Sequence, residues 1–115
     1  MKRGEVYLAT LAPRSGSEQQ GTRPVIVVSN DAFNDVPNWR SIVIVPCSTS
    51  SNQASRGPSV VPLVRGAGGL TNDSVALCHQ ITTLDRAKLT TRWGALTPAE
   101  LATVEAGIKA ALDMR

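Results

Sequence analysis

Aromatic side chains are scarce: two Trp, one Tyr and one Phe make up 3% of the 115 residues. A sequence-tolerant single-strand binder, which stacks bases on a row of rings, finds little here to stack on. Trp39 and Phe33 are expected to go to core or dimer packing. Histidine occurs once and cysteine twice. His79, Cys47 and Cys78 are too few and too far apart for a recognisable zinc site, so no metal and no cofactor is expected. Each cysteine ends an apolar run, as a small buried residue would, and both read as reduced core thiols, with a disulfide as the alternative. No apolar run approaches the roughly 18–20 residues of a membrane helix. No apolar segment follows the charges of Met1-Lys2-Arg3-Gly4-Glu5, and the expectation is a soluble cytoplasmic protein without a membrane partner. The Walker loop, the Gly-x-Ser-x-Gly elbow and the His-Glu-x-x-His helix are all missing. The nine carboxylates are dispersed, with none grouped as a two-metal site requires.

What is present describes one domain spanning residues 1–115. The composition is 42% apolar and 18% charged, and the mean hydropathy is near zero at -0.05, which argues against a disordered chain. At this length a core holds without metals or disulfides. Twelve basic residues against nine acidic ones give a net charge of +3. That balance suits an anionic partner and equally suits ordinary solubility.

Strand signals dominate the chain. Glu5–Leu11 alternates loosely, and a polar loop rich in Gly and Ser fills residues 12–22. Val25–Val28 and Ile42–Val45 are β-branched runs of the kind buried on both sheet faces, the second closed by Pro46. Between them, Asn30-Asp31 caps a helical turn through Asp35 that Pro37 stops. Residues 48–57 form a polar loop. Strands resume at Ser59–Val64 and Ser74–Leu77 across the Gly66-Ala67-Gly68-Gly69 turn, then at Ile81–Leu84 and Arg92–Leu96. Thr97-Pro98-Ala99-Glu100 is a capping box with proline at the first helical position. Leu101, Val104, Ile108 and Leu112 follow at helical spacing and form one packing stripe. Without βαβ alternation, the order predicts a mainly β fold with a minor α component. That fold is an antiparallel barrel of five to seven strands with a C-terminal α-helix against one side.

Candidate chemistry sits where buried strands meet loops. Arg23 opens the Val25–Val28 strand beside Pro24. A planar guanidinium there suits a phosphate; the competing reading is an ion pair with Glu18 or Glu5. Ser48-Thr49-Ser50-Ser51 follows the Ile42–Val45 strand with hydroxyls that either bind a phosphate oxygen or form a turn. His79-Gln80 follows Val75–Cys78. His79 is either structural or the one acid/base whose ordinary pKa lies near neutrality. A phosphodiester cleavage without metal is open to RNA, whose 2′-OH attacks the adjacent phosphate. The protein then supplies a base, an acid for the leaving 5′-oxygen, and positive charge for the phosphorane.

These segments carry a family resemblance. Arg3–Leu8, Gly16–Asp31, Val43–Ser50, Gly69-Leu70, Asp73–Asp85 and the terminal helix together resemble the MazF/PemK toxin endoribonucleases over nearly the whole chain. Gly21-Thr22-Arg23-Pro24-Val25 in that context is the most specific block. The resemblance implies an SH3-like or CcdB-like barrel, a homodimer, and metal-independent cleavage of single-stranded RNA at short sequences. The products would carry 2′,3′-cyclic phosphate and 5′-hydroxyl ends. It also implies a cognate MazE-like antitoxin, acidic and partly disordered, whose tail lies over the RNA groove.

By the same resemblance the key arginine is Arg23 and the key threonine Thr49, with Ser48 beside it. Ser17, Glu18, Gln19, Gln20, Thr22, Asn30, Ser48, Ser50 and Gln80 correspond to positions near the RNA. One branch of the family has Arg-Cys-Asp-Gln where this chain has Leu77-Cys78-His79-Gln80, and a histidine where it has Ser17. Leu77 thus removes a possible acid or phosphate ligand, and His79 is expected to carry acid/base chemistry or to hold the RNA. The alternatives are a CcdB-like toxin that binds a protein such as gyrase, and a barrel that binds nucleic acid without cutting it. A polar cluster around Arg23 and Thr49 favours the nuclease.

Overall fold

The computed structural model describes residues 1–11, 16, 21–49 and 57–115. The elements are β1 (Glu5–Thr10), β2 (Thr22–Val27), α1 (Asp31–Asn34), β3 (Ser41–Ser48), β4 (Val60–Leu63), β5 (Ser74–Leu77), β6 (Thr82–Asp85), β7 (Leu89–Ala95) and α2 (Pro98–Ala111). Short 3₁₀ turns occupy Ala67–Gly69, Cys78–Gln80 and Arg86–Lys88. Every strand pairing is antiparallel, in the order β4-β5-β3-β2-β1-β7, with β6 also on β3.

Strand β3 organises the sheet. One of its edges carries β2; the other carries β6 along Ser41–Ile44 and then β5 at Cys47–Ser48. The strand does not end at Pro46, as the sequence pattern has it, but runs on to Ser48. Pro46 lies where the β6 ladder has stopped at Ile44 and the β5 ladder has not begun, so a residue without an N–H is tolerated inside a central strand. The continuous apolar runs of β2 and β3 are explained by burial on both faces. Ile26, Val45 and Cys47 join Val6, Val61, Ala76, Cys78 and Val104 in one core cluster. Val25, Val27, Ile42 and Ile44 join Ala9, Leu11, Leu84 and Leu89 in another.

The two end strands are brought together by glycine. The Ala67–Gly69 turn that follows β4 lies on β7. A Cβ at Gly94 would stand 2.8 Å from the carbonyl carbon of Gly68, a distance no side chain can hold. The backbones touch there, and the sheet curls toward closure.

Helix α2 begins where the sequence places it. The Thr97 hydroxyl accepts from the Glu100 N–H at 3.1 Å and the Glu100 carboxylate from the Thr97 N–H at 2.8 Å, a complete capping box. Leu101, Val104 and Ile108 pack on the sheet. Leu112 departs from the stripe: the helix stops at Ala111 and Leu112 is 50% exposed. Strand β7 begins at Leu89, earlier than the pattern gives. Two register shifts against β1 break the period-2 signal that would have marked it.

Candidate active site

Strands β2 and β3 run antiparallel with Val25 opposite Pro46. Thr22 and Arg23 open β2, Ser48 closes β3 and Thr49 follows it, so all four stand at one end of this strand pair. Continuing the register brings Arg23 level with Ser48. Alternation puts both on the sheet face that holds Val25 and Pro46. Thr22, Arg23 and Thr49 are exposed, while Ser48 is buried. A guanidinium level with the Ser48 hydroxyl, at the strand end that also carries Thr49, is a donor set for a phosphodiester.

Of the two ion-pair partners read from the sequence for Arg23, Glu18 lies outside the described residues and Glu5 is excluded by register. Arg23 pairs with Ala9, four residues along β1 from Glu5, about 13 Å at the rise of a strand. Glu5 is taken by other groups: Arg92 Nε donates to it at 2.6 Å, the Lys2 N–H at 2.6 Å and the Tyr7 hydroxyl at 3.1 Å. Partial burial pushes the Glu5 carboxyl up, but these donors outweigh it and hold the pKa below its ordinary value. Burial and the neighbouring Glu5 charge together push Tyr7 up.

His79 and Gln80 sit on the other edge of β3. Their turn fills the gap between the last residue of β5 and Thr82, which pairs with Ile44. That puts it alongside Val45, about 10 Å along β3 from Ser48. His79 is exposed and Gln80 half-buried. Cys78 anchors the turn beneath α2, its Sγ donating to the Val104 carbonyl at 3.5 Å. Leu77 is fully buried with Val60 and Val75. By the β3–β5 register it is level with Pro46, on the face of Arg23 and Ser48. This position therefore gives the rim an apolar floor where an arginine would give it charge.

The structure does not bring Asn30 to this rim. Its side chain caps α1, accepting from the Ala32 N–H at 2.8 Å, at the far end of β2 from Arg23. Neighbouring Ser29 and Asn34 are tied to each other: the Ser29 hydroxyl donates to Asn34 at 2.6 Å, and the Asn34 amide returns to the Ser29 carbonyl at 2.7 Å. The polar Ser29-Asn30-Asp31 stretch thus has a structural job at the β2–α1 corner. Ser17, Glu18, Gln19, Gln20 and Ser50 lie outside the described residues. Thr10, which the sequence reading missed, stands opposite Thr22 and is exposed on the Arg23 rim. No local pattern flags it, because only the β1–β2 register puts it there.

Both cysteines are free and buried. Burial pushes Cys47 up to about 12 and Cys78 to about 11, so neither is a nucleophile at neutral pH. Among the described residues, no three of His, Cys, Asp and Glu are grouped to hold a metal ion, and no helix is long and apolar enough to cross a membrane.

Residues 2–112 match the family model of the PemK-like, MazF-like toxin of type II toxin–antitoxin systems. The chain belongs to this family. Curated relatives agree: an Endoribonuclease MazF of Staphylococcus saprophyticus is 36% identical over 114 residues, covering 99% of this chain and 92% of the relative. The Staphylococcus epidermidis protein of the same name is 34% identical over the same share of each. A crystal structure of MazF from Deinococcus radiodurans has the same fold, with a TM-score of 0.80 at 24% identity, across 99% of this chain and 97% of that one. A mycobacterial endoribonuclease in complex with its cognate antitoxin gives 0.78 at 26% identity, across 98% and 95%. The seven-stranded antiparallel sheet with a C-terminal helix is therefore the MazF-like fold, and the Arg23 rim is a feature of that fold in this chain.

Proposed function

We infer that this MazF-like chain, as one toxin domain, is a sequence-specific endoribonuclease that cuts single-stranded RNA without a metal ion. The observation that carries the reading is the convergence of Arg23, Ser48 and Thr49 at one end of β2 and β3, in a family whose curated relatives are named endoribonucleases. A base removes the proton of the 2′-OH, whose oxygen bonds to the adjacent phosphorus. The phosphorus–5′-oxygen bond breaks, and the leaving oxygen takes a proton. The products are a 2′,3′-cyclic phosphate and a 5′-hydroxyl. Arg23 lies across the phosphate and stabilises the charge that builds on the phosphorane, while the Thr49 hydroxyl, with Ser48 beside it, donates to a phosphate oxygen. His79 supplies acid/base chemistry from the other edge of β3, and Gln80 holds the RNA. Thr22, with Ser17, Glu18, Gln19, Gln20 and Ser50, completes the RNA contacts, and a MazE-like acidic antitoxin covers the same groove. A mycobacterial endoribonuclease of this fold is solved in complex with its cognate antitoxin, which supports an antitoxin partner for this chain.

The test is incubation of the purified chain with a long single-stranded RNA in excess EDTA, with the cut ends mapped. Discrete cuts ending in cyclic phosphate are expected, and Arg23→Ala should lower the rate by about 100-fold or more. Intact RNA from folded protein, or full activity in Arg23→Ala, overturns the reading. His79→Ala should remove one limb of the pH–rate profile, and an unchanged profile would reassign His79 to holding the RNA.

A further inference from the structure

The rim that carries Arg23 continues across β1 onto β7. Ala9 pairs with Arg23 on one side and with Leu89 on the other, so Leu89 stands two strand spacings from Arg23, about 10 Å. Lys88 is the next residue outward, half-buried just before β7, and exposed Thr10 ends β1 between the two. The backbone at this edge is fixed. Leu8 pairs with Thr91 and Ala9 with Leu89, which leaves Thr90 as a bulge whose hydroxyl donates to the Leu8 carbonyl at 3.3 Å. The Asp85 carboxylate accepts from the Ala87 N–H at 2.8 Å, and the Leu89 N–H closes the Arg86–Lys88 turn on the Arg86 carbonyl. Lys88 thus leaves a turn pinned at both ends, which lowers the cost of ordering it on a ligand.

The chemistry of this edge differs from that of the surface elsewhere. Lys2, Arg3, Arg40 and Arg92 each meet a carboxylate, at Asp35, Glu105, Asp85 and Glu5 respectively. The carboxylate nearest Lys88 in sequence is Asp85, which is held chiefly by Arg40 at 2.7 Å, with Lys88 a lesser influence. Among the described residues, the ends of β1 and β3 and the starts of β2 and β7 present Thr10, Thr22, Arg23, Ser48, Thr49 and Lys88. These are cations and hydroxyls, without a carboxylate or an aromatic ring. Phe33 and Trp39 stay out of the core, 47% and 43% exposed and stacked at 5.0 Å, but they belong to the connection before β3, at its other end. With no ring among these residues to stack a base on, this rim holds a nucleic acid by its phosphates.

We propose that RNA crosses this rim from β2 to β7, with Lys88 and Thr10 binding a phosphate that flanks the cleaved one; this rests on the Arg23 site as the place where RNA is cut. A strand whose cleaved phosphate lies on Arg23 carries its neighbouring phosphates across β1, and a lysine, as a point charge, holds one of them without selecting a base. The test reads binding apart from cleavage. A fluorescein-labelled single strand with 2′-deoxy sugars lacks the attacking hydroxyl and stays intact, and its Kd is measured by fluorescence anisotropy across a salt series. Wild type, Lys88→Ala, Lys88→Arg, Thr10→Val and Lys109→Ala are compared, with circular dichroism to follow folding. Lys109 is exposed on α2 and controls for the loss of one positive charge elsewhere. Lys88→Ala should weaken binding by about 5- to 10-fold at low salt and flatten the slope of log Kd against log salt by about 0.7, while Lys88→Arg keeps the wild-type slope. Thr10→Val should cost about three-fold with the slope unchanged. A Lys88→Ala slope equal to that of wild type overturns the proposal, as does a wild type that does not bind the strand. An equal change in Lys109→Ala overturns it too, because net charge then accounts for the effect. So does a Lys88→Arg variant no better than alanine, since the side chain then serves packing. Wild type that binds the strand with these slopes yet leaves RNA intact in EDTA would instead remove the cleavage reading and leave the phosphate contact standing.

Discussion

A single side chain in this protein does what its neighbours on adjacent strands allow, and the two thiols are the plainest instance. Cys47 and Cys78 are expected to resist a thiol reagent such as Ellman's at pH 8 in the folded protein and to react with both equivalents in guanidinium, because burial holds both pKa values far above that pH. Fast labelling of either in the native state would contradict the packing of Cys78 beneath α2. Arg23 is the opposite case, exposed and at a strand end. Its replacement by alanine should change stability by about 1 kcal/mol or less while activity falls by orders of magnitude. A thermal melt run beside the cleavage assay separates the two. Arg23 was legible in the sequence because Pro24 and a β-branched run fix it to a strand end. Thr10 was not, because its place on the same rim depends on pairing with Thr22, seen only once β1 and β2 are in register.

Elements meet here through small residues, and helix α2 shows what that costs to alter. A Cβ at Gly107 would stand 2.6 Å from Val61 and 2.7 Å from the Cys78 sulfur. Gly107→Ala would gain up to about 1 kcal/mol of helix propensity in an open helix, yet it should destabilise this protein by about 1–3 kcal/mol through overpacking, read by urea unfolding. An increase in stability would mean the helix can lift from β4 without loss. The N-terminus of α2 was readable residue by residue, since Thr97, Pro98 and Glu100 carry the cap within four positions. Its C-terminus was not. Leu112 has helical spacing and an apolar side chain, but Asp113 turns into the left-handed region at φ 54° and the Met114 N–H closes on the Lys109 carbonyl at 2.8 Å, which ends the stripe one step early.

For the whole molecule, carboxylates tie distant parts of the chain together. Arg92 binds Glu5 across β1 and β7, the Arg3 N–H binds Asp31 at 2.6 Å, and Arg40 binds Asp85 at 2.7 Å. All three carboxyl groups are held below their ordinary values: Glu5 despite its burial, Asp31 chiefly by the Arg3 N–H, and Asp85 chiefly by Arg40. A lowered folded-state pKa adds stability that is present above the unfolded value, near 4, and disappears as pH falls through the folded value. The denaturation midpoint should therefore hold steady near neutrality and drop below about pH 4, with a shallower drop in Glu5→Gln. A midpoint that rises on acidification would contradict these contacts. The sequence by itself determined the strand runs, the two caps, the reduced thiols and the family motif around Arg23, because each rests on local spacing, backbone preference or composition. Tertiary structure alone decided that Arg23, Ser48, Thr49 and Thr10 share one rim, that Asn30 faces the other end, and that Pro46 continues a strand. Those outcomes depend on which strands pair and in what register, and a chain read in one dimension carries its alternation but not its partners.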